Sequence, residues 1–189
     1  DSIYNGSATV ATSPIPKITT GHNENSNPYT QNIEKAKELL AEAGYADGFN
    51  IVLNVNEDNQ RVDTAVVIQD NLKAIGINVE IKTYQWASYV AFVENPAQEK
   101  GMFLMAWNIA NDDPDELLYP LYHSSQIDAH TNVVFYKNEE FDNLISKARE
   151  TTDKEKRIEL YKKAQDIIQE ELPHYAILYP MQNFAYKKN

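Results

Sequence analysis

Apolar positions fall on every second residue in FNIVLNV (Phe49, Ile51, Leu53 and Val55) and alternate again in INVEIKTY from Ile77. A period of two is that of a strand with one buried face. Between these segments Val66, Ile68, Leu72 and Ile75 form the apolar side of a helix expected from Val62 to Ile75, with Gly76 closing it. Strand, helix and strand with short connections predict a parallel pair joined by a right-handed crossover. Upstream, Asn32 suits an N-cap, Ala36, Leu39, Leu40 and Ala43 recur at helical spacing, and Gly44 suits a stop. Trp86 to Glu94 reads as a short helix. MFLMAW, from Met102 to Trp107, is apolar without alternation, as expected of a central strand covered on both faces.

The last third is mostly helical. Phe141, Leu144, Ile145 and Ala148 define one helix; Ile158, Tyr161, Ala164, Ile167, Ile168 and Leu172 define a longer one that stops at Pro173. YAILYP, from Tyr175, is a final apolar strand. Residues 1–30 are rich in Ser, Thr, Asn and Pro and show no period, so they read as an extended arm packing on a lobe formed by residues 31–189. No internal repeat or linker divides the chain, and one α/β domain is the economical expectation.

Composition narrows the function classes. The 189 residues include 17 basic and 28 acidic side chains, a net charge of −11, with the basic residues scattered. That field repels phosphate backbones and anionic membranes, which argues against nucleic acid as a partner. With no cysteine, thiolate metal sites, thiol catalysis and disulfides are excluded. No apolar run approaches the roughly 18–20 residues of a membrane span, and no signal peptide is recognisable. The opening DSIYNGSATVATSPIP reads as the interior of a longer protein.

Candidate chemistry concentrates after Trp107, where the apolar run gives way to NIANDDPDE. A catalytic carboxylate pair, a cation site and one wall of a ligand cleft all fit that change. Asp113-Pro114 suits a helix start, with Asp as N-cap and Pro at the first helical position. Asp115 and Glu116 then complement the helix dipole. The segment lacks the alternating acids, glycine and distal Glu of a calcium loop. His22, His123, His130 and His174 form no i,i+4 pair, and no HExxH, GxSxG or phosphate-loop motif occurs. A glycoside hydrolase using paired carboxylates remains the enzyme alternative. Trp107 suits core or ligand contact, and Asn56 and Gln60 suit turn chemistry or a cleft wall.

Several blocks together resemble one family. NPYTQNIEKAKELLAEAGYADGF, IQDNLKAIGINVEIKTYQWASY, AWNIANDDPD, HSSQ and the segment from NEEFDN to ILYP are similar, in order, to the family 5 extracellular solute-binding proteins. These are receptors of ABC importers for oligopeptides, dipeptides or nickel, and the resemblance covers nearly the whole chain. It implies an α/β fold, a single lobe of the type II periplasmic-binding-protein kind, with a mixed, mostly parallel sheet and flanking helices. It further implies the second, C-terminal lobe of a two-lobed monomer working with an ABC permease outside the cytoplasm, in the periplasm or lipid-anchored at the outer face of the membrane. Oligopeptide would be held between this lobe and a first lobe, without chemistry, cofactor or metal. An oligosaccharide or a chelated metal is the alternative cargo.

The resemblance also assigns residues. It sets Trp107 and Trp86 against ligand; from their places in the chain, Asn108, Asn111 and Asp112 are expected to supply hydrogen bonds or charge, and Asn56 and Gln60 after the first strand to reach the same cleft. Ala110 stands where enterobacterial peptide binders carry an Asp that pairs with the peptide amino terminus. Val55 stands where dipeptide receptors carry an Arg for the ligand carboxylate, and Leu104 where oligopeptide receptors carry a basic residue. The expectation is a lobe without a charged clamp, reading backbone amides and apolar bulk, because an unpaired charge in a dry cleft costs several kcal/mol.

Overall fold

Parallel pairing of the two alternating segments is the frame of residues 29–106. A computed structural model of the protein describes residues 3–24, 29–181 and 185–187. Asn27 and Pro28, which open the first family-like block, and 182–184 and 188–189 at the C-terminal end lie outside the described residues. The chain forms two compact units, Tyr29–Ala106 and the pair of segments Asp1–Pro28 with Trp107–Asn189.

In the first unit, α1 (Ile33–Glu42) is capped by the Asn32 side chain, which accepts from the Lys35 N–H. β2 (Phe49–Asn56), preceded in the chain by β1 (Ala8–Val10) of the other unit, pairs in parallel with β3 (Ile77–Tyr84), from Phe49 opposite Ile77 to Asn56 opposite Tyr84. Between them runs α2 (Asn59–Lys73), which begins earlier than its apolar period because Asp58 caps it, accepting from the Arg61 N–H. Leu53, Val55, Ala65, Ile77 and Val79 are buried together as the core of this crossover. The two strands start in close approach: a Cβ on Gly48 would fall 1.9 Å from the Gly76 carbonyl oxygen, and Gly48 has φ +73°. Only glycine satisfies both conditions.

α3 (Trp86–Glu94) matches its expected bounds. The MFLMAW expectation does not hold. Only β4 (Met102–Phe103) joins the sheet, whose order is β3-β2-β4, so β2 is central and β4 flanks it. The Leu104 N–H still reaches the Asn54 carbonyl, but the Leu104 carbonyl accepts from the Tyr89 hydroxyl. A side chain thus takes the acceptor that a further ladder bond would need, and Met105 is 42% exposed.

The second unit joins distant parts of the chain. β1 (Ala8–Val10) pairs antiparallel with β5 (Leu178–Pro180). The helices are α4 (Asp115–Tyr122), α5 (Glu139–Glu150) and α6 (Lys154–Glu171), with a 3-10 turn at Ser124–Gln126. Leu118, Tyr122, Phe141, Ile145, Tyr161 and Ile168 form its core, and Ile15, from the segment without a period, is fully buried among them. Gln165, fully buried on α6, fixes that segment: its amide oxygen accepts from the Ser13 hydroxyl and the Asn23 N–H, and its nitrogen donates to the Gly21 carbonyl at 2.8 Å. Among the described residues no helix is long and apolar enough to cross a membrane.

Candidate functional site

The loop from Trp107 to Pro114 is organised by hydrogen bonds to the first turn of α4. Asp113 caps the helix, accepting from the Asp115 N–H at 3.0 Å, and Pro114 already has helical angles, φ −59° and ψ −24°. The Arg157 guanidinium lies 3.0 Å from the Asp113 carboxylate. Asp115 accepts from the Tyr161 hydroxyl at 3.0 Å, with the Arg149 Nε 3.9 Å away. Both acids are therefore paired within the helical frame.

Glu116 has a larger part than its dipole placement suggests. One carboxylate oxygen accepts from the N–H groups of Ala110, at 2.6 Å, and Asn111, at 2.9 Å; the other accepts from the Asn111 side-chain amide. These donors, the Asn111 N–H foremost, hold the Glu116 carboxyl below the usual range. The Glu116 carbonyl accepts from the Trp107 indole nitrogen at 2.7 Å. Trp107 is nevertheless 43% exposed, so its ring is oriented at one edge and open elsewhere.

On the other side, the Asp112 carboxylate accepts from both the hydroxyl and the N–H of Thr20, which lower its pKa. Asn111 and Asp112, expected as ligand contacts, thus direct polar atoms into the loop itself, and the Ala110 N–H is used in the same way. Asn108 is exposed.

In the other unit, a second group lies at the carboxyl end of β2 and the start of α3. The Asn56 side-chain oxygen accepts from the Arg61 guanidinium at 2.5 Å, and that guanidinium carbon lies 5.8 Å from the Trp86 ring centre. Trp86 is 52% exposed and its ring centre is 6.3 Å from that of Tyr89. Tyr89 is fully buried, and burial raises its hydroxyl above the usual tyrosine range. Gln60 is exposed and Asn56 buried. The group sits where ligands gather in open α/β sheets, beyond the carboxyl ends of parallel strands.

Val55, where the resemblance sets the Arg of dipeptide receptors, faces the core of this unit. It is fully buried in the core with Ala65 and Val79, so a side chain there packs against the crossover helix. The cation beside this strand end is Arg61, half-buried on α2 and bonded to Asn56; the sequence reading did not single it out. An Arg five residues after Asn56, in the first turn of a helix that starts at the strand end, was the available signal. For Glu116 the signal was its position three residues after the capping Asp113, where a side chain reaches back to free N–H groups.

The model of the bacterial extracellular solute-binding proteins, family 5 Middle, matches residues 1–129. Heme-binding protein A of Haemophilus influenzae is 35% identical over 179 residues, covering 92% of this chain and 32% of that protein. Among solved structures, the periplasmic binding protein DppA from Helicobacter pylori, in complex with the peptide STSA, superposes with a TM-score of 0.87 at 36% identity, over 94% of this chain and 34% of that one. Oligopeptide-binding AppA from Bacillus subtilis, in complex with a nonapeptide, gives 0.81 at 31% identity, over 95% and 38%. The chain spans about a third of the length of the curated relatives it matches. The family consists of extracytoplasmic binding proteins rather than enzymes. This chain belongs to it: it is a bacterial extracellular solute-binding protein of family 5.

Proposed function

We propose that the chain is the second lobe of the substrate-binding component of an ABC importer, and that its cargo is oligopeptide. The observation that carries this reading is the state of Trp107: its indole N–H is bonded within the loop, yet 43% of the residue is exposed. A large side chain held in one orientation with a free face is an inexpensive platform for a ligand, because little rotamer freedom remains to be lost on binding. Trp86 offers a second apolar face, with Asn56 at the end of β2 and Gln60 in the first turn of α2 as polar groups of its own unit, and Asn108 beside Trp107 in the other. Asn111, Ala110 and Asp112 belong to the frame that holds Trp107. Relatives whose structures are in complex with the peptide STSA and with a nonapeptide support peptide as the ligand class.

In this reading a first lobe supplies the other wall of the cleft, closure is the functional event, and the permease recognises the closed form. The 189-residue chain, a monomer, then binds peptide weakly because half of the contact surface is elsewhere. Mass spectrometry of small molecules released by denaturing the purified two-lobed protein tests the cargo. A ladder of mixed peptides is the expected result; one non-peptide species would overturn the peptide reading. A relative named for heme, 35% identical, makes a non-peptide cargo the second reading. It keeps the transport role and predicts that single species.

A further inference from the structure

α4 contains a proline, Pro120, four residues after Glu116. In a regular helix the Glu116 carbonyl would accept from the N–H of residue 120. Proline has no N–H, and its ring crowds the carbonyl four residues back. The Glu116 carbonyl is therefore left without its helical donor, and it is the atom that receives the Trp107 indole N–H at 2.7 Å. The carboxylate of the same residue ties the backbone of the loop at Ala110 and Asn111. We propose that Pro120 and Glu116 are positioning residues for the ligand-facing tryptophan: Pro120 releases the Glu116 carbonyl for the indole, and the Glu116 carboxylate fixes the loop that carries it.

The alternative role for Glu116 is charge alone, a carboxylate complementing the helix N-terminus. The two roles separate on substitution. Both backbone donors converge on one carboxylate oxygen, which the amide oxygen of glutamine can replace. The other oxygen faces only the Asn111 amide, which can turn to present its own oxygen to the new NH2 group. Glu116→Gln therefore keeps the acceptor geometry without the charge, whereas Glu116→Met keeps length and loses both. Pro120→Ala supplies the missing donor and allows the carbonyl to return to the helix.

This inference rests on the proposed ligand face at Trp107, but its test contains no ligand, so the two can fail separately. The chain has two tryptophans, and Trp86→Phe leaves Trp107 as the only reporter. Acrylamide quenching and emission anisotropy are then measured on the full chain. Adding Pro120→Ala is expected to raise the Trp107 quenching constant about twofold while helical ellipticity is kept or increased. Glu116→Met is expected to raise it about twofold and Glu116→Gln to leave it within about a fifth of the parent value. Unchanged quenching in both Pro120→Ala and Glu116→Met overturns the proposal. Equal increases in the Gln and Met variants overturn the carboxylate's positioning role in favour of charge. If Pro120→Ala does not fold, the Gln and Met pair still decides the role of Glu116.

Discussion

The two units are assembled in opposite ways. In Tyr29–Ala106 the core is one crossover, with Leu53, Val55, Ala65, Ile77 and Val79 drawn from fewer than thirty consecutive positions. In the other unit Ile15 packs with Phe141 and Ile168, and Gln165 bonds Ser13 across 152 positions. Local assembly leaves a periodic trace in the sequence; closure between chain segments far apart leaves almost none. The same contrast applies to the two tryptophans. Trp86 lies at the start of a helix that the pattern of residues predicts, and is approached by the Tyr89 ring and the Arg61 guanidinium. Trp107 depends on a carbonyl, a carboxylate and a proline that no period connects.

Core truncations should separate the units most strongly. Leu53→Ala and Ile15→Ala should each cost about 2–5 kcal/mol, the range for large-to-alanine changes at buried aliphatic positions. Hydrogen exchange distinguishes them. Leu53→Ala should lower protection in 49–84, and Ile15→Ala in 158–168. Loss of protection confined to 49–84 in both variants would break the assignment of the N-terminal segment to the second unit.

The next effect concerns acid. His174 is in the second unit, and burial pushes its pKa down from 6.5 to about 4. The folded form refuses a proton that the unfolded chain accepts, so this contribution is present above about pH 6.5, declines as pH falls and is exhausted near pH 4. The loss should reach roughly 3 kcal/mol. Residues 29–106 contain no histidine and have no such slope from this cause. Denaturant melts between pH 7 and 4 check this, with His174→Gln expected to flatten the change. A wild-type profile without that decline would contradict the burial argument.

A smaller effect tests the junction of the N-terminal segment with α6. Gln165→Ala removes acceptors and donors used by Ser13, Asn23 and Gly21, and should cost about 1–3 kcal/mol, the penalty for buried polar groups left unpaired. Gln69→Ala, on a half-buried residue whose amide donates to the Val79 carbonyl, should cost less. Equal melting shifts would mean that the long-range bonds are no more decisive than local ones.

What the sequence revealed follows the reach of each interaction, and α5 and α6 of the second unit were legible from their own period. The parallel pair, its crossover helix and the bounds of α3 were legible because alternation and helical spacing act over a few residues. The MFLMAW run misled because hydrophobicity does not report pairing: the chain leaves the ladder where Tyr89 takes the Leu104 carbonyl. Trp107 was legible as a candidate from its place after an apolar run. The work of Asn111 and Asp112 was not, since an amide or carboxylate in a loop has the same signature whether it faces ligand or, as here, Glu116 and Thr20. Arg61 was hidden because no period in the sequence marks its contacts with Asn56 and Trp86.

In the proposed site the exposed face of Trp107 binds ligand while the acids beside it build the frame. Calorimetry of alanine tetrapeptide and nonapeptide binding to the two-lobed protein, with Trp107→Ala beside Asp115→Ala, tests it most directly. Trp107→Ala should weaken binding about tenfold or more, as loss of an aromatic anchor does. Asp115, bonded to Tyr161, should change affinity by about twofold or less when replaced, since a paired structural acid makes no ligand contact. Equal losses in the two variants, or unchanged affinity in Trp107→Ala, would contradict it.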